Sequence, residues 1–287
     1  MQVVTDSATD THLLEDKGLD ISIVPLKVTL NEKTYRDKLD ISADEFYKIL
    51  VNDGGLPITS QPSAGEFAEL YRKLAKKDPD ILSIHMSSGL SGTVDSARAA
   101  VALVPEANVT VVDTKTLSGA AGWQVQAAVQ AIKAGWSLER ILEKLKQIGT
   151  ATFSLYTLKE LKYLIHGGRI SHIKGLLASV LQIKPLIGVH KELGTYTQEG
   201  QARSFNSALS GIVDIMKKII PSAEPLRVQI VHTANPEGAE MLKEKVTQAF
   251  KCDRLNVGQL SFVLGAHTGP SMVGIGFAPN SVFEGIN

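Results

Sequence analysis

Cysteine is nearly absent from this sequence, which has only Cys252 among its 287 residues. A single thiol cannot form a disulfide within the chain and cannot supply a cysteine-based metal cluster. The seven histidines show no paired spacing of the kind that metal sites use. We therefore expect no disulfide, no metal site and a reducing compartment, the cytoplasm.

The sequence also lacks an excess of charge of either sign and any long hydrophobic run. Lysine plus arginine and aspartate plus glutamate both number 30, so the formal net charge is zero. General attraction to nucleic acid or anionic lipid needs a basic surplus. The longest apolar stretches, such as residues 99–104, are far shorter than the roughly 20 residues of a membrane-spanning helix. We expect a soluble protein with no nucleic-acid partner and no membrane span.

The first half of the sequence does contain a clear alternation of strand and helix patterns. Apolar runs predict strands at residues 2–5, 21–30, 81–85 and 109–113, and helix patterns lie at residues 42–51, 63–77, 94–104, 118–133 and 137–148. Such alternation is typical of a parallel sheet with helices on both faces. We predict a three-layer α/β domain over residues 1–150. Residues 24–35 predict a small β excursion within it, because an apolar strand there runs into an Asn31-Glu32 turn.

Beyond residue 150 the pattern changes to a mixture of strands and helices. Strands are predicted at residues 151–156, 183–190, 194–200 and 226–233, helices at 158–165, 206–220 and 236–250, and two apolar β-like runs around Gly265 to Gly269. The chain is long enough for two compact domains. We predict a second, α+β domain over residues 151–287.

A serine- and glycine-rich turn stands between a predicted strand and a predicted helix at residues 81–93, ILSIHMSSGLSGT. A helix start leaves backbone N–H groups without intrahelical partners and carries partial positive charge, so it can hold an anion. Gly89 and Gly92 leave the backbone accessible, and Ser88 and Ser91 offer hydroxyls. The simpler alternative is that Ser91 only caps the helix.

A second hydroxyl-rich segment, Thr59-Ser-Gln-Pro-Ser63, precedes another predicted helix. Ser63 and Glu66 have the spacing of a capping box, and Pro62 suits a turn or the first helical position. Two such helix starts in one α/β domain predict a single polar site.

Catalytic motifs are incomplete in these segments. The turn at residues 88–93 lacks the lysine of a phosphate-binding loop. Ser91 has Gly89 before it but Thr93 after it, where a nucleophile elbow needs glycine. His267, in the small-residue run 265–274, could reach a ligand, and Arg169 and Arg203 could also serve a site. Each of these three side chains taken alone is equally typical of an exposed surface residue.

Six segments taken together, in this order and spacing, resemble the DegV family of bacterial fatty-acid-binding proteins. They are VTDSATD (residues 4–10), TSQPS (59–63), SSGLSGT (87–93), VDT (112–114), LKYLIHGGRIS (161–171) and HTGP (267–270). The similarity covers essentially the whole chain. It implies a two-domain protein that holds one long-chain fatty acid between its domains, without a cofactor, with the carboxylate at a polar end and the tail in an apolar tunnel.

The resemblance also implies a role and a set of residues. Some members of this family are non-catalytic subunits that present the bound acid to a separate ATP-dependent fatty acid kinase, which makes acyl-phosphate for phospholipid synthesis. Carried over by motif, the carboxylate ligands are Thr59 and Ser91 with His267 nearby, supported by Ser60, Ser88, Gly89 and Gly92. Arg203 and Arg169 are implied to dock the kinase or to stabilise charge during transfer. Ser271 departs from the glycine that many members have after Gly-Pro.

Two other functions remain open on the residues alone. One is a serine-dependent acyl hydrolase that uses Ser91 and His267. The other is an interaction protein that a ligand regulates without any kinase.

Overall fold

The computed structural model describes residues 1–16, 18–173, 183–220 and 224–286. Its strands are β1 (Gln2–Asp6), β2 (Ser22–Val24), β3 (Lys27–Leu30), β4 (Lys33–Arg36), β5 (Ile58–Ser60), β6 (Asp80–His85), β7 (Asn108–Asp113), β8 (Phe153–Thr157), β9 (Lys184–Val189), β10 (Tyr196–Ala202), β11 (Leu226–His232), β12 (Cys252–Gln259) and β13 (Val273–Pro279). Its helices are α1 (Ala43–Asp53), α2 (Ala64–Ala75), α3 (Thr93–Val101), α4 (Ser118–Lys133), α5 (Leu138–Ala151), α6 (Lys162–His166), α7 (Phe205–Ile219), α8 (Pro236–Ala249) and α9 (Phe262–Thr268).

The N-terminal half contains a parallel sheet of four strands in the order β2-β1-β6-β7. Successive side chains of a strand point to opposite faces, and here both faces are apolar. Val4 and Ile81 pack with α2 and α3 on one face, while Val3 and Leu82 pack with α4 and α5 on the other. The predicted three-layer arrangement is therefore confirmed.

A small antiparallel sheet, in the order β4-β3-β5, forms the predicted β excursion. Asn31 and Glu32 both have positive φ, 50° and 64°, as a tight hairpin turn between β3 and β4 requires. The prediction of a single strand over residues 21–30 is wrong. This segment forms two strands, β2 and β3, which belong to different sheets. They are separated at Pro25, which has no N–H to donate to a neighbouring strand. Strand β5, which carries Thr59, was not predicted.

The C-terminal half contains a mixed sheet of six strands in the order β10-β9-β8-β13-β11-β12. Only the β11–β12 pair is parallel, and α7 and α8 cover one face through an apolar core. Of the two apolar β-like runs predicted around Gly265 to Gly269, the one that follows is strand β13, whereas the one that precedes lies in α9. A short apolar run does not show a period that distinguishes a helix from a strand. Strand β12 was also not predicted.

A shared core joins the two halves, with buried side chains contributed from residues on both sides of position 150. In it Phe46 of α1 stacks on Phe262 of α9, with ring centroids 4.8 Å apart. The boundary predicted at residue 150 falls in the last turn of α5, and the division into domains 1–150 and 151–287 stays a prediction. Helix α9 lies against α1, β3 and β5 of the first half and α6 of the second.

Candidate functional site

A buried carboxylate fixes the backbone at the start of the Ser/Gly turn that follows β6. Asp6 Oδ2, at the end of β1, accepts a hydrogen bond from the Met86 backbone N–H at 2.9 Å and lies 3.0 Å from His85 Nδ1. Both Asp6 and His85 are fully buried. The turn itself closes through the Ser91 N–H, which donates to the Ser87 carbonyl at 3.1 Å. The backbone that leads into α3 is thereby fixed.

Ser91 makes its hydrogen bonds within this turn. Its Oγ lies 2.8 Å from Thr93 Oγ1 and accepts from the Thr93 backbone N–H at 3.3 Å. Gly92 is the N-cap residue of α3 and has no side chain to cap the helix, but the Ser91 hydroxyl accepts from the first N–H of α3. This bond agrees with the simpler alternative, in which Ser91 caps the helix.

The second hydroxyl-rich segment lies directly against the first. A Cβ atom added to Gly92 would lie only 2.4 Å from Gln61 Nε2, so the end of the Gln61 side chain packs directly on Gly92. Thr59 lies two residues before Gln61 in the sequence, and its hydroxyl is 2.8 Å from His267 Nε2. The structure thus brings the two helix starts together, with Thr59 and His267 in direct contact. The capping box predicted at Ser63 and Glu66 is confirmed at the start of α2.

His267 is a neutral hydrogen-bonding group near neutral pH. Burial, together with the positive charges of Arg169 and His166, lowers its pKa to about 3. A neutral imidazole has one donor nitrogen and one acceptor nitrogen. Nε2 faces Thr59, and Nδ1 has no hydrogen-bond partner among the described residues. Only a glycine fits beside it, because a Cβ on Gly167 would lie 2.1 Å from Nδ1.

Arg169 connects the Gly-Gly segment to the Ser/Gly turn. Its Nη1 donates to the Gly167 carbonyl at 2.7 Å, and its Nε donates to the Leu90 carbonyl at 3.3 Å. Within the described ranges it forms no ion pair with a carboxylate. The half-buried Arg169 guanidinium therefore places an uncompensated positive charge near His267 and the turn.

Other residues of the predicted site point elsewhere. Ser88 hydrogen-bonds to Asp113 through both its N–H and its hydroxyl, and Lys115 Nζ donates to the Ser88 hydroxyl at 3.2 Å. Burial would raise the pKa of Asp113, but the bonds from Lys115 and Ser88 lower it below its usual value. Gly89 packs against the Leu193 carbonyl. Ser60 is exposed.

Arg203 stands apart from this group. It is exposed, between the end of β10 and the start of α7, and its guanidinium makes no hydrogen bond or ion pair with any residue that the structure describes. Ser271 is also directed away from His267. Its hydroxyl accepts from the Lys159 N–H at 3.1 Å, and its carbonyl accepts from Asn235 at 2.9 Å.

An apolar cavity begins beside α9, the helix that carries His267. It extends between α4 and the C-terminal sheet. Strands β8 and β13 form one wall, where Tyr156 pairs with Gly274 and Ser154 with Gly276. The lining residues are Leu117, Ser118, Gly119, Ala120, Ser154, Leu155, Tyr156, Val189, Tyr196, Gln229, Val231, Leu260, Leu264, Thr268, Met272, Gly274, Ile275 and Gly276.

The geometry lacks the contact that a serine hydrolase needs. The nucleophile must hydrogen-bond to its base, but His267 bonds to Thr59 while Ser91 bonds to Thr93. Within the described ranges, no group of three or more acidic, histidine or cysteine side chains could hold a metal ion. None of the described helices combines the length and the apolar character that crossing a bilayer requires.

Sequence reasoning did not find three contributors to this site. Gln61 and Gly167 belong to the quoted segments TSQPS and HGGRIS, but only the fold shows that they touch Gly92 and His267. Tyr156 of the cavity wall lies outside every motif. An aromatic residue in a strand pattern is typical of any protein core, so no pattern distinguished it.

Comparison with known proteins places these features in one family. The family model described as "Uncharacterised protein, DegV family" matches residues 1–280. A DegV domain-containing protein of Staphylococcus aureus (strain MRSA252) is 35% identical over 273 residues, which cover 95% of this chain and 96% of that protein. One from Lactococcus lactis is 36% identical over 273 residues, 94% of this chain and 96% of the relative.

Solved structures with the same fold include proteins described as binding fatty acids. A DegV family protein from Thermus thermophilus, described by its fatty acid binding, superposes with a TM-score of 0.87 at 31% identity and covers 97% of this chain and 99% of its own. A stearic-acid-binding protein from Eubacterium ventriosum has a TM-score of 0.86 at 28% identity, with 99% of both chains covered. DegV from Bacillus subtilis, described as a fatty acid binding protein, has a TM-score of 0.85 at 28% identity over 97% of this chain and 99% of its own.

Proposed function

The chain belongs to the DegV family, and from that membership we propose that it binds one long-chain fatty acid in the cytoplasm and presents it to a separate ATP-dependent kinase. The carboxylate binds at Thr59 and Ser91 with His267 beside them, and the tail occupies the apolar cavity. The chain itself is a non-catalytic subunit, and the kinase makes the acyl-phosphate for phospholipid synthesis. The fatty acids described for the structural relatives support the ligand class.

One observation carries this proposal above the others. Thr59 and His267 form a neutral hydrogen-bonded pair beside the Ser/Gly turn, and the helix that bears His267 also lines the apolar cavity. The helix that carries a polar group able to bind an anion therefore also contributes to a space that suits an alkyl chain. The uncompensated charge of Arg169 favours an anion at the same place.

The chemistry of the head group agrees with a carrier role. A carboxylate held by hydroxyls and a neutral imidazole keeps more of its electron density than one in a bidentate ion pair with arginine. Arg169 gives two of its N–H groups to backbone carbonyls, so it acts here mainly as a nearby charge. A carboxylate in this environment remains able to attack a phosphoryl group.

The tail supplies most of the affinity. Each buried methylene contributes about 0.8 kcal/mol. A chain of about sixteen carbons therefore gains more from burial than one or two hydrogen bonds at the head group can add. We expect an acid bound in this way to remain with the protein through purification, where mass spectrometry of the intact protein can identify it.

Thr59→Ala and Ser91→Ala are each expected to weaken fatty-acid binding by roughly 1.5–3 kcal/mol, because each removes a hydrogen bond to a charged group. Titration calorimetry with stearate measures the affinity, and thermal unfolding shows whether the fold is intact. Thr247→Ala, an exposed threonine on α8 that bonds to its own helix, is the matched control and should leave affinity unchanged. If both site variants bind stearate as tightly as the wild type, Thr59 and Ser91 do not bind the carboxylate.

The chain alone is expected to make no acyl-phosphate from ATP, Mg²⁺ and fatty acid. Phosphoryl transfer needs a phosphate-binding loop and Mg²⁺ ligands, and the described residues contain no cluster of side chains suited to a metal ion. Product should appear only when a fatty acid kinase subunit is added. Acyl-phosphate from the pure chain would overturn the carrier role. Binding without product in the presence of the kinase would favour a ligand-regulated interaction protein.

A further inference from the structure

A second cavity, of about 480 Å³, adjoins the apolar cavity. It is lined by residues from both halves of the chain: the end of β7 and the segment after it, α5, and the end of β9 with the residues that follow. Ser154 and Val189 line both cavities, and Thr116 of the second directly precedes Leu117 of the apolar one. Clefts between packed units, at the carboxyl ends of parallel strands such as β7, are common places for small ligands.

The boundary between the two cavities lies at the far part of the apolar cavity, as seen from the head-group end. On β13, which follows the turn after α9, Gly274 pairs with Tyr156. Two residues farther along the strand, Gly276 pairs with Ser154, whose hydroxyl lies 3.3 Å from the Thr116 hydroxyl. A chain that starts at the head-group site and follows this wall therefore directs its last carbons toward the second cavity.

Three lysines line the second cavity, which we call the lysine cavity: Lys115, Lys146 and Lys191. Lys115 is compensated, because its Nζ lies 2.9 Å from Asp113 Oδ2. The exposed Lys146 lies on the same face of α5 as Gly149, three residues later, and its ammonium has no partner in the described part of the chain. Two of the three lysines are thus without a carboxylate.

Lys191 is the half-buried member of this group. Its Nζ donates to the Gly149 carbonyl at 3.3 Å and lies 3.6 Å from the centroid of the Phe153 ring, and among the described residues it forms no ion pair, not even with the exposed Glu192 beside it. Burial lowers the pKa of Lys191 to about 8, so the ammonium is still charged at neutral pH. A charge withdrawn from water without a counter-ion is destabilising, and an anionic ligand group would offset that cost.

We propose that the lysine cavity receives the far end of the bound chain, and that the protein therefore accepts long-chain acids with a second carboxylate at that end, the α,ω-dicarboxylic acids. This substrate class rests on the proposed fatty-acid-binding function. One carboxylate binds at the head-group site, the methylenes lie in the apolar cavity, and the other carboxylate pairs with Lys191 Nζ. In a tunnel that ends among apolar side chains, the second carboxylate would be buried without a partner, which is strongly unfavourable.

The test is titration calorimetry at neutral pH with a series of saturated dicarboxylic acids of increasing length, each compared with the monocarboxylic acid of the same length. At least one diacid is expected to bind the wild type as tightly as its monocarboxylic counterpart, or more tightly. Lys191→Met keeps an apolar side chain over Phe153 and removes the charge. It should weaken binding of that diacid about tenfold and leave binding of the monocarboxylic acid unchanged.

Lys144→Met is the matched control. Lys144 lies on α5, is half-buried like Lys191 and likewise donates to one backbone carbonyl, that of Glu284, but it does not line the lysine cavity. This variant removes the same charge and should bind both acids as the wild type does.

The possible results separate this proposal from the function on which it rests. If monocarboxylic acids bind and every diacid binds more weakly than its counterpart, the chain does not end in the lysine cavity, and fatty-acid binding stands. If Lys191→Met binds the diacid as the wild type does, Lys191 is not the partner of the second carboxylate and the proposal is refuted. If the pure protein binds neither class of acid, the fatty-acid function fails and this inference fails with it. The comparison of acids in the wild type needs no variant, so it remains decisive if Lys191→Met does not fold.

Discussion

Replacing Phe46 by alanine is expected to lower the free energy of unfolding by about 3–5 kcal/mol, the usual range for a fully buried phenylalanine. The ring lies in α1 and is completely buried. It stacks on Phe262 of α9 with centroids 4.8 Å apart and meets the edge of Tyr47 at 5.8 Å. Its loss leaves a cavity between elements from the two halves of the chain.

Urea unfolding followed by far-UV circular dichroism measures this effect. Val51→Ala is the matched control, because Val51 lies on the same helix and is 57% exposed. A surface substitution of this kind should change stability by no more than about 0.5 kcal/mol. Equal effects of the two substitutions would show that the α1–α9 contact does not contribute to stability. Since α9 carries His267, Phe46→Ala should also weaken ligand binding.

The elements with strong local determinants could be predicted from the sequence. Helix α2 begins where the Ser63–Glu66 spacing indicated, because a capping box involves only neighbouring residues. The alternation of buried strands and amphipathic helices was sufficient to predict the parallel sheet. Helix α9 was not recognised, because its apolar residues are buried all round by tertiary contacts and show no amphipathic period. The assignment of β2 and β3 to different sheets likewise depends on long-range pairing.

The candidate site could be predicted in its residue types but not in its contacts. Thr59 and His267 are separated by 208 positions, and nothing local in either segment indicates that they meet. Ser88, predicted beside them from its place in the turn, is instead bonded to Asp113, whose strand is the sheet neighbour of β6. The sequence indicates which turn bears the hydroxyls, and the packing of strands and helices decides which way each one faces.

The two arginines implied to serve the kinase occupy different environments, which separates their contributions. Arg169 donates to two backbone carbonyls near His267, and its charge helps to lower the pKa of His267. Arg203 is exposed and, among the described residues, unpaired. Ordering a long side chain costs conformational entropy. Among the described residues Arg203 forms no bond that would offset this cost, so its side chain is not held in one geometry by the protein. Its guanidinium is free to serve a partner.

Arg203→Ala is therefore expected to leave fatty-acid occupancy near normal and to reduce kinase-dependent acyl-phosphate formation by about a thousandfold. An arginine that stabilises charge during phosphoryl transfer contributes on this scale, whereas an exposed ion pair contributes about 0–1 kcal/mol. Arg98→Ala is the control, because Arg98 is an exposed arginine on α3 that faces only Asp95, and it should leave both quantities unchanged. Lipid content is read by mass spectrometry, and product is read with the kinase present. Loss of lipid as well as product would assign Arg203 to the fold or the lipid site. Retention of both lipid and product would show that Arg203 has no part in transfer. The Arg98 variant removes the same charge elsewhere on the surface and so measures any general electrostatic effect.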